Sequence, residues 1–135
     1  MGYGMRMRES SFRIKAGNKG RALELARTLL GLETVQDSSG PHFSWVDRRS
    51  MEEAASIEEM LREWRWEPEL NDDGDVVGLG FEGEKLGDDV RLWEAIAPSV
   101  EDGSFLEMVG EDGCIWRWWF DGLACEEQHG KVVFE

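Results

Sequence analysis

Four side chains in this sequence offer a nitrogen or sulfur atom for metal binding or nucleophilic chemistry: His42, Cys114, Cys125 and His129. None belongs to a C-x-x-C or H-x-x-x-H pair, the spacings that bring two zinc ligands together. The two cysteines flank a predicted hairpin at positions too far apart for a disulfide. We therefore expect both thiols to be reduced and predict no metal site.

Carboxylates are abundant, since 29 of the 135 residues are Asp or Glu. Glu107, Glu111 and Asp112 are close enough in sequence for the acid–base pair of a glycosidase or nuclease, but so many acids produce such neighbours by chance. The turn at 71–75 is similar to a calcium loop, yet its twelfth position would be Gly80, where a bidentate Glu is needed. The sequence thus gives no specific carboxylate site.

Residues 78–83 spell G-x-G-x-x-G, the pattern of dinucleotide-binding loops. The pattern lies in a predicted strand, and Glu84, Asp88 and Asp89 follow it, where they would repel a pyrophosphate. No G-x-S-x-G nucleophile motif occurs. We therefore expect no cofactor and no catalytic residue, and an enzyme is the less favoured class.

The tryptophans are more informative, since the chain has seven. In the predicted strand at 114–120, Trp116, Trp118 and Phe120 alternate with residues 115, 117 and 119, so both faces carry large side chains. One reading is a strand buried on both faces. The other is that Arg117 and Trp119 form a partner-binding surface, because Trp and Arg are enriched in interaction hot spots.

A second aromatic motif is Trp64-Arg65-Trp66. It is interpreted first as a packed corner between a helix and a strand. Because the guanidinium of Arg65 can stack on an aromatic ring, Arg65 and Trp66 are included with Arg117 and Trp119 as candidate partner contacts.

Hydrophobic periodicity and turn residues predict the elements that position these side chains. Two S-x-x-E capping boxes, at Ser50 and Ser56, predict a turn near Ser50 and a helix from residue 57. A two-residue turn at Asp121-Gly122 would place Trp118 opposite Cys125. The predicted helices are 18–30, 57–65 and 88–97; the predicted strands are 5–16, 42–46, 66–70, 75–82, 105–109, 114–120, 123–127 and 131–134, with a loop at 33–41.

This order of elements predicts a single domain, 1–135, of the α+β class. We expect an antiparallel or mixed sheet with helices packed on one face. The arrangement would be ferredoxin-like, with extra C-terminal strands in a meander.

Charge is unevenly distributed along a chain whose net charge is −14. Residues 1–31 hold seven Lys or Arg and two Asp or Glu, a net of +5, whereas the remainder holds eight and 27, a net of −19. Such an excess of negative charge disfavours nucleic acid and anionic membranes as partners. Neither a secretory signal nor a membrane-spanning run is present, which predicts a cytoplasmic location.

The stretch 100–113, VEDGSFLEMVGEDG, followed by Trp-Arg-Trp at 116–118, resembles a family of small acidic bacterial proteins. The similarity extends to 64–67, 83–87 and 95–98. Some members of that family are associated with phage or other mobile elements. The resemblance implies this context but no activity and no site residues.

Three functions remain open from the sequence. The first is a non-enzymatic interaction module whose aromatic and arginine surface has an acidic rim, with an unknown protein as its partner. The second is an acidic mimic of nucleic acid that inhibits a DNA-binding protein. The third is a small-ligand-binding protein or enzyme; a homodimer is compatible with all three.

Overall fold

The computed structural model describes residues 2–31, 35–37, 40–43 and 45–130. Three short 3-10 turns, at Ala16–Asn18, Thr28–Gly31 and Ala97–Ser99, adjoin the helices. The described elements, in chain order, are β1 (Met5–Ser11), α1 (Lys19–Arg27), β2 (Val35–Asp37), β3 (Gly40–His42), α2 (Arg48–Glu53), α3 (Ile57–Glu63), β4 (Trp66–Leu70), β5 (Val76–Phe81), α4 (Asp89–Ile96), β6 (Phe105–Gly110), β7 (Ile115–Phe120) and β8 (Cys125–His129).

The main sheet has four strands in the order β1-β6-β7-β8, and every neighbouring pair is antiparallel. The predicted α+β class is therefore confirmed, and β6, β7 and β8 form the predicted meander. Strands β2 to β5 lie outside this sheet as two separate two-stranded ribbons. In a ferredoxin-like order some of them would join β1. Here β1 pairs with β6, and isolated bridges lie just beyond its two ends, between Gly4 and Lys85 and between Ile14 and Val76 of β5.

The register of the β7–β8 hairpin differs from the prediction. Phe120 lies opposite Cys125, so the connection has four residues, 121–124, rather than two. The cause is the Asp121 side chain, whose carboxylate accepts hydrogen bonds from the backbone N–H groups of Leu123 and Ala124 at 2.9 and 2.7 Å. Such a local side-chain bond stabilises a longer turn than Asp-Gly alone indicates.

Helix α3 begins as predicted at a capping box. The Ser56 hydroxyl accepts from the Glu59 backbone N–H at 3.1 Å, and the Glu59 carboxylate accepts from the Ala55 backbone N–H. The predicted turn near Ser50 is wrong, because those residues form α2. Asp47 caps that helix by accepting from the Ser50 backbone N–H at 3.1 Å, so Ser50 lies inside the helix rather than at its cap.

Two further predictions between residues 33 and 46 are wrong. The predicted loop at 33–41 contains β2 and most of β3, and the predicted strand at 42–46 ends at His42. Trp45 has a φ of 67°, outside the extended region that a strand requires. Phe43 is buried, whereas Trp45 is 55% exposed, so the two rings do not share a face. The predicted strand at 131–134 lies outside the described residues.

The core is an aromatic cluster between the main sheet and the helices. Trp93 of α4 lies at its centre, with ring centroids 5.0 Å from Trp66, 6.1 Å from Trp118 and 6.2 Å from Phe120. Phe12 completes the cluster 5.5 Å from Phe120. Tilted and edge-on contacts of this kind stabilise the core beyond the burial of area.

Candidate functional site

Strand β7 divides its large side chains between the two faces of the main sheet. Trp116, Trp118 and Phe120 are buried on the inner face, where Trp118 and Phe120 contact Trp93 of α4. Ile115, Arg117 and Trp119 alternate with them and are partly exposed. The strand is thus buried on one face and partly open to solvent on the other.

The partly exposed side chains belong to a surface that we call the outer face, formed by Phe105, Glu107 and Val109 of β6 and by Ile115, Arg117 and Trp119 of β7. Trp119 lies directly opposite Phe105, and their rings stack at 6.1 Å with an interplanar angle of 9°. The Arg117 guanidinium carbon is 4.4 Å from the centroid of the Phe105 ring. The contacts of Arg117 and Trp119 are therefore with strand residues of the same face.

A shared carboxylate lies in the middle of the outer face. Glu107 accepts from Arg117 Nη2 at 2.8 Å and from Arg8 Nη1 at 3.1 Å. A shift of register between Met7 and Glu9 marks a β-bulge at Arg8. Glu107 is only 8% exposed, whereas the side chains of Arg8 and Arg117 are 54% and 34% exposed. The middle of the outer face therefore presents the guanidinium groups of Arg8 and Arg117 to solvent and keeps the Glu107 carboxylate beneath them.

The strands on either side add further charges. By register, Arg6 and Glu9 of β1 lie beside Val109 and Glu107, and Glu126 of β8 lies beside Trp119. All three are exposed. The outer face and its margins thus balance three arginines against three glutamates: Arg6, Arg8 and Arg117 against Glu9, Glu107 and Glu126.

The other two predicted contacts, Arg65 and Trp66, lie elsewhere. Trp66 has no exposed surface, and its indole Nε1 donates to Asp89 Oδ1 at 2.9 Å. Arg65 Nη2 donates to Asp89 Oδ2 at 3.1 Å, and Arg65 Nη1 donates to the Lys85 carbonyl at 2.6 Å. Both residues hold the corner between α3 and β4, as in the packed-corner reading, so we leave them out of the outer face.

Asp89 is the buried polar residue that the sequence reading missed. It is 1% exposed and also accepts from the Gly87 backbone N–H at 2.9 Å. Its position in the first turn of α4 indicates only a favourable charge at a helix N-terminus. Its partners at 65 and 66 come from a distant part of the chain, and no local spacing identifies them.

An exposed indole contacts this corner from outside. Trp45 lies with its ring centroid 5.9 Å from the Arg65 guanidinium carbon. Both residues have left-handed backbones, with φ values of 67° and 73°. A non-glycine residue in that region costs roughly 1–3 kcal/mol, and it persists only when surrounding contacts compensate.

The remaining candidate chemistry does not converge on a site. Tyr3 donates its hydroxyl hydrogen to Asp112, which raises the pKa of Tyr3 to about 12. Asp112 also lies 3.4 Å from Cys114 Sγ and raises the pKa of that thiol. Burial, followed by the charge of Glu94, raises the pKa of Cys125 to about 12. Both cysteines are free thiols in their unreactive protonated form at neutral pH.

Surface grooves offer little for a small ligand. One of about 320 Å³ lies between α2 and α3, and it is lined by Ser50, Glu53, Ala54, Glu59, Arg62 and Glu63. Small-molecule sites are mostly apolar with a few convergent polar groups, whereas half of these lining residues are glutamates. Across the described ranges, no three His, Cys, Asp or Glu side chains are grouped to hold a metal ion.

Among the helices that the structure describes, none is both long and apolar enough to span a membrane. Comparison of the chain with protein-family models, with curated proteins and with solved structures finds no significant match.

Proposed function

We propose that this protein is a non-enzymatic interaction module of the cytoplasm that binds a protein partner through the outer face. The observation that carries the proposal is the Trp119 ring, stacked on Phe105 beside Arg117 and still partly exposed. Tryptophan and arginine are the side chains that most often dominate binding energy at protein interfaces.

The arrangement favours binding because it is already ordered. Trp119 is held by the Phe105 ring, and Arg117 is held by both that ring and Glu107. Fixing a flexible side chain on association costs roughly 0.5–1.5 kcal/mol. Two anchors that are fixed before binding avoid most of that cost.

The charges favour a protein over nucleic acid. A single-stranded nucleic acid binds best in a positively charged groove lined with aromatic rings. Here the outer face carries as many glutamates as arginines, and the whole chain has a net charge of −14. A partner with apolar side chains at its centre and basic residues at its margin complements both the face and the acidic surroundings.

The alternative of a nucleic-acid mimic needs an unbroken row of free carboxylates at the phosphate spacing. Around α2 and α3, arginines interrupt the acidic residues. Arg48 pairs with Glu52 at 3.0 Å and Arg49 pairs with Glu53 at 3.3 Å. These pairs make α2 a solvated helix surface with mixed charges rather than a continuous anionic stripe.

Affinity capture from a lysate of the organism that encodes the chain tests the proposal. The bait is the whole protein, compared with Trp119→Ala and Arg117→Glu. Matched controls are Leu123→Ala, which removes a side chain that is 79% exposed, and Arg21→Glu, the same charge reversal on an exposed residue of α1. Circular dichroism checks that each variant is folded.

We expect the same captured protein to be lost with both outer-face variants and retained with both controls. Capture that is unchanged by Trp119→Ala and Arg117→Glu would refute the proposal. Light scattering coupled to size exclusion, run on the same set, tests the homodimer: a dimer that dissociates only in the outer-face variants would identify a second copy as the partner.

A further inference from the structure

We infer that Asp73 is a site of spontaneous covalent modification, where the aspartate rearranges to isoaspartate sooner than any other aspartate that precedes a glycine. The chain has four such Asp-Gly steps, at 73–74, 102–103, 112–113 and 121–122. All four lie in connections between strands or just before one. The inference goes beyond the proposed function and does not depend on it.

The chemistry of the rearrangement needs only the chain and water. The glycine nitrogen attacks the carboxyl carbon of the protonated aspartic acid, a C–N bond forms, and one carboxyl oxygen leaves as water with the proton of the N–H. Water then adds to either carbonyl of the resulting succinimide ring, and cleavage of that C–N bond gives aspartate or isoaspartate. Glycine favours the attack because it has no side chain to hinder its nitrogen. The rate therefore depends on a carboxyl group that can turn and on a glycine N–H that can leave its hydrogen bond.

Two of the four aspartates are held by hydrogen bonds. The Asp121 carboxylate accepts from two backbone N–H groups of its own turn, at 2.7 and 2.9 Å. The Asp112 carboxylate accepts from the Tyr3 hydroxyl and from the Cys114 backbone N–H. These bonds lower the pKa of both carboxyl groups, so the protonated form that loses water is rarer. They must also break before either carboxyl group can turn towards the next nitrogen.

The other two aspartates, Asp73 and Asp102, have free carboxylates. Among the residues that the structure describes, none donates a hydrogen bond to either carboxylate or pairs with it. The glycine after Asp102 is held by the main sheet, because the Gly103 N–H donates to the Phe120 carbonyl at 2.8 Å. The Phe120 N–H in turn donates to the Ser104 carbonyl at 2.9 Å, and Phe120 has no exposed surface. Freeing the Gly103 nitrogen therefore opens the end of β7.

The glycine after Asp73 is held only within its own turn. The Gly74 N–H donates to the Asn71 carbonyl at 3.1 Å. The Asn71 side-chain oxygen accepts from the backbone N–H groups of Asp73 and Asp75 at 3.0 and 2.9 Å. No residue from 71 to 75 is buried, and exposed local segments open far more often than the whole domain unfolds. Asp73 therefore combines a free carboxylate with the glycine nitrogen that is most easily released.

Rearrangement at Asp73 would reach beyond the turn. Isoaspartate adds one carbon to the main chain two residues before Asp75. The Asp75 carboxylate accepts from the Ala16 backbone N–H at 2.7 Å and from Arg13 Nη1 at 2.9 Å, which ties the β4–β5 ribbon to the segment after β1. A longer turn displaces this carboxylate, so we expect chains with isoaspartate at 73 to unfold more readily.

Ageing of the whole protein in water enriched in heavy oxygen, at neutral pH, tests the inference. Each ring opening leaves one heavy oxygen on the aspartate that reacted, and electron-transfer fragmentation of the digested protein locates the label and identifies isoaspartate. We expect label at Asp73 to accumulate about fivefold faster than at Asp102, the ratio that one additional net hydrogen bond gives. The matched control is the same protein in urea, where the four rates should become similar. In Tyr3→Phe, labelling should accelerate at Asp112 and stay unchanged at Asp73.

Faster labelling of Asp102, Asp112 or Asp121 than of Asp73 in the folded protein overturns the inference. So does a lead of Asp73 that persists unchanged in urea, because the order would then come from the local sequence and not from the fold. Absence of label at Asp73 over a period that labels the unfolded chain overturns it as well.

Discussion

Replacing the buried carboxylate of Asp89 should destabilise the fold more than any exposed acid does. In Asp89→Asn the side chain keeps its size, but it loses the charge that neutralises Arg65, and an amide NH2 replaces one acceptor oxygen. That oxygen accepts either from Trp66 Nε1 or from the Gly87 backbone N–H, each at 2.9 Å. One of these buried donors is left without an acceptor.

The size of the effect follows from burial. Removing one partner of a buried ion pair costs about 3–5 kcal/mol. Asp89 is 1% exposed, but the Arg65 side chain is 18% exposed and can regain some hydration, so we expect the lower end, about 3 kcal/mol. A domain is stable by roughly 5–15 kcal/mol in total. With an m value of about 2 kcal/mol/M, the urea midpoint should fall by about 1.5 M.

The assay is urea denaturation followed by circular dichroism at pH 7. Asp72→Asn makes the same chemical change in an exposed turn and should alter the free energy of unfolding by less than about 0.5 kcal/mol. Arg65→Met, alone and with Asp89→Asn, completes a double-mutant cycle, and the two losses should not add, because each removes the same pair. A midpoint within about 0.25 M of wild type, the shift that an exposed change would give at this m value, or additive losses would refute this account of the corner.

Two further predictions concern the raised pKa values. In a Cys114→Ser background, alkylation of Cys125 at pH 8 should be very slow and should accelerate about tenfold per pH unit, because its pKa of about 12 keeps the thiolate rare; reaction at the rate of a free thiol would contradict this. Tyr3 is the only tyrosine in the sequence, so its ultraviolet titration should show a midpoint near 12 while the fold persists. The free energy of unfolding should fall as pH rises from about 10 towards that midpoint, because the folded state then holds a proton that the unfolded state has lost. Asp112→Asn should return the midpoint towards 10, and so should Gly110→Ala, whose added methyl would occupy the position of the Tyr3 hydroxyl; a wild-type midpoint near 10 would refute the Tyr3–Asp112 contact.

Features encoded by neighbouring residues could be predicted from the sequence. The Ser56 capping box begins α3, because cap and helix lie within one turn of chain. Alternation along β7 separates Trp118 from Trp119, because successive side chains of a strand point to opposite faces. The α+β class followed from such local signals taken together.

Features that depend on distant contacts or on competing local bonds were not predictable. The Asp121 carboxylate stabilises a four-residue turn and moves the register of β8 by two residues. The left-handed backbone of Trp45 ends a strand that the alternation favoured. In the candidate site, Arg117 and Trp119 could be selected from their residue types, but the stacking on Phe105 and the sharing of Glu107 depend on the β6–β7 register.

The packing of the indoles has a consequence for optical measurements. Trp66, Trp93 and Trp118 have ring centroids within 6.3 Å of one another, and Trp116 lies 6.0 Å from Trp118. Excitation absorbed by one of these four rings migrates to its neighbours, so their fluorescence is a collective property of the inner side of the sheet. Emission from these four rings therefore reports on unfolding of the interior, and a label placed beside Trp119 is the better reporter of events on the opposite side.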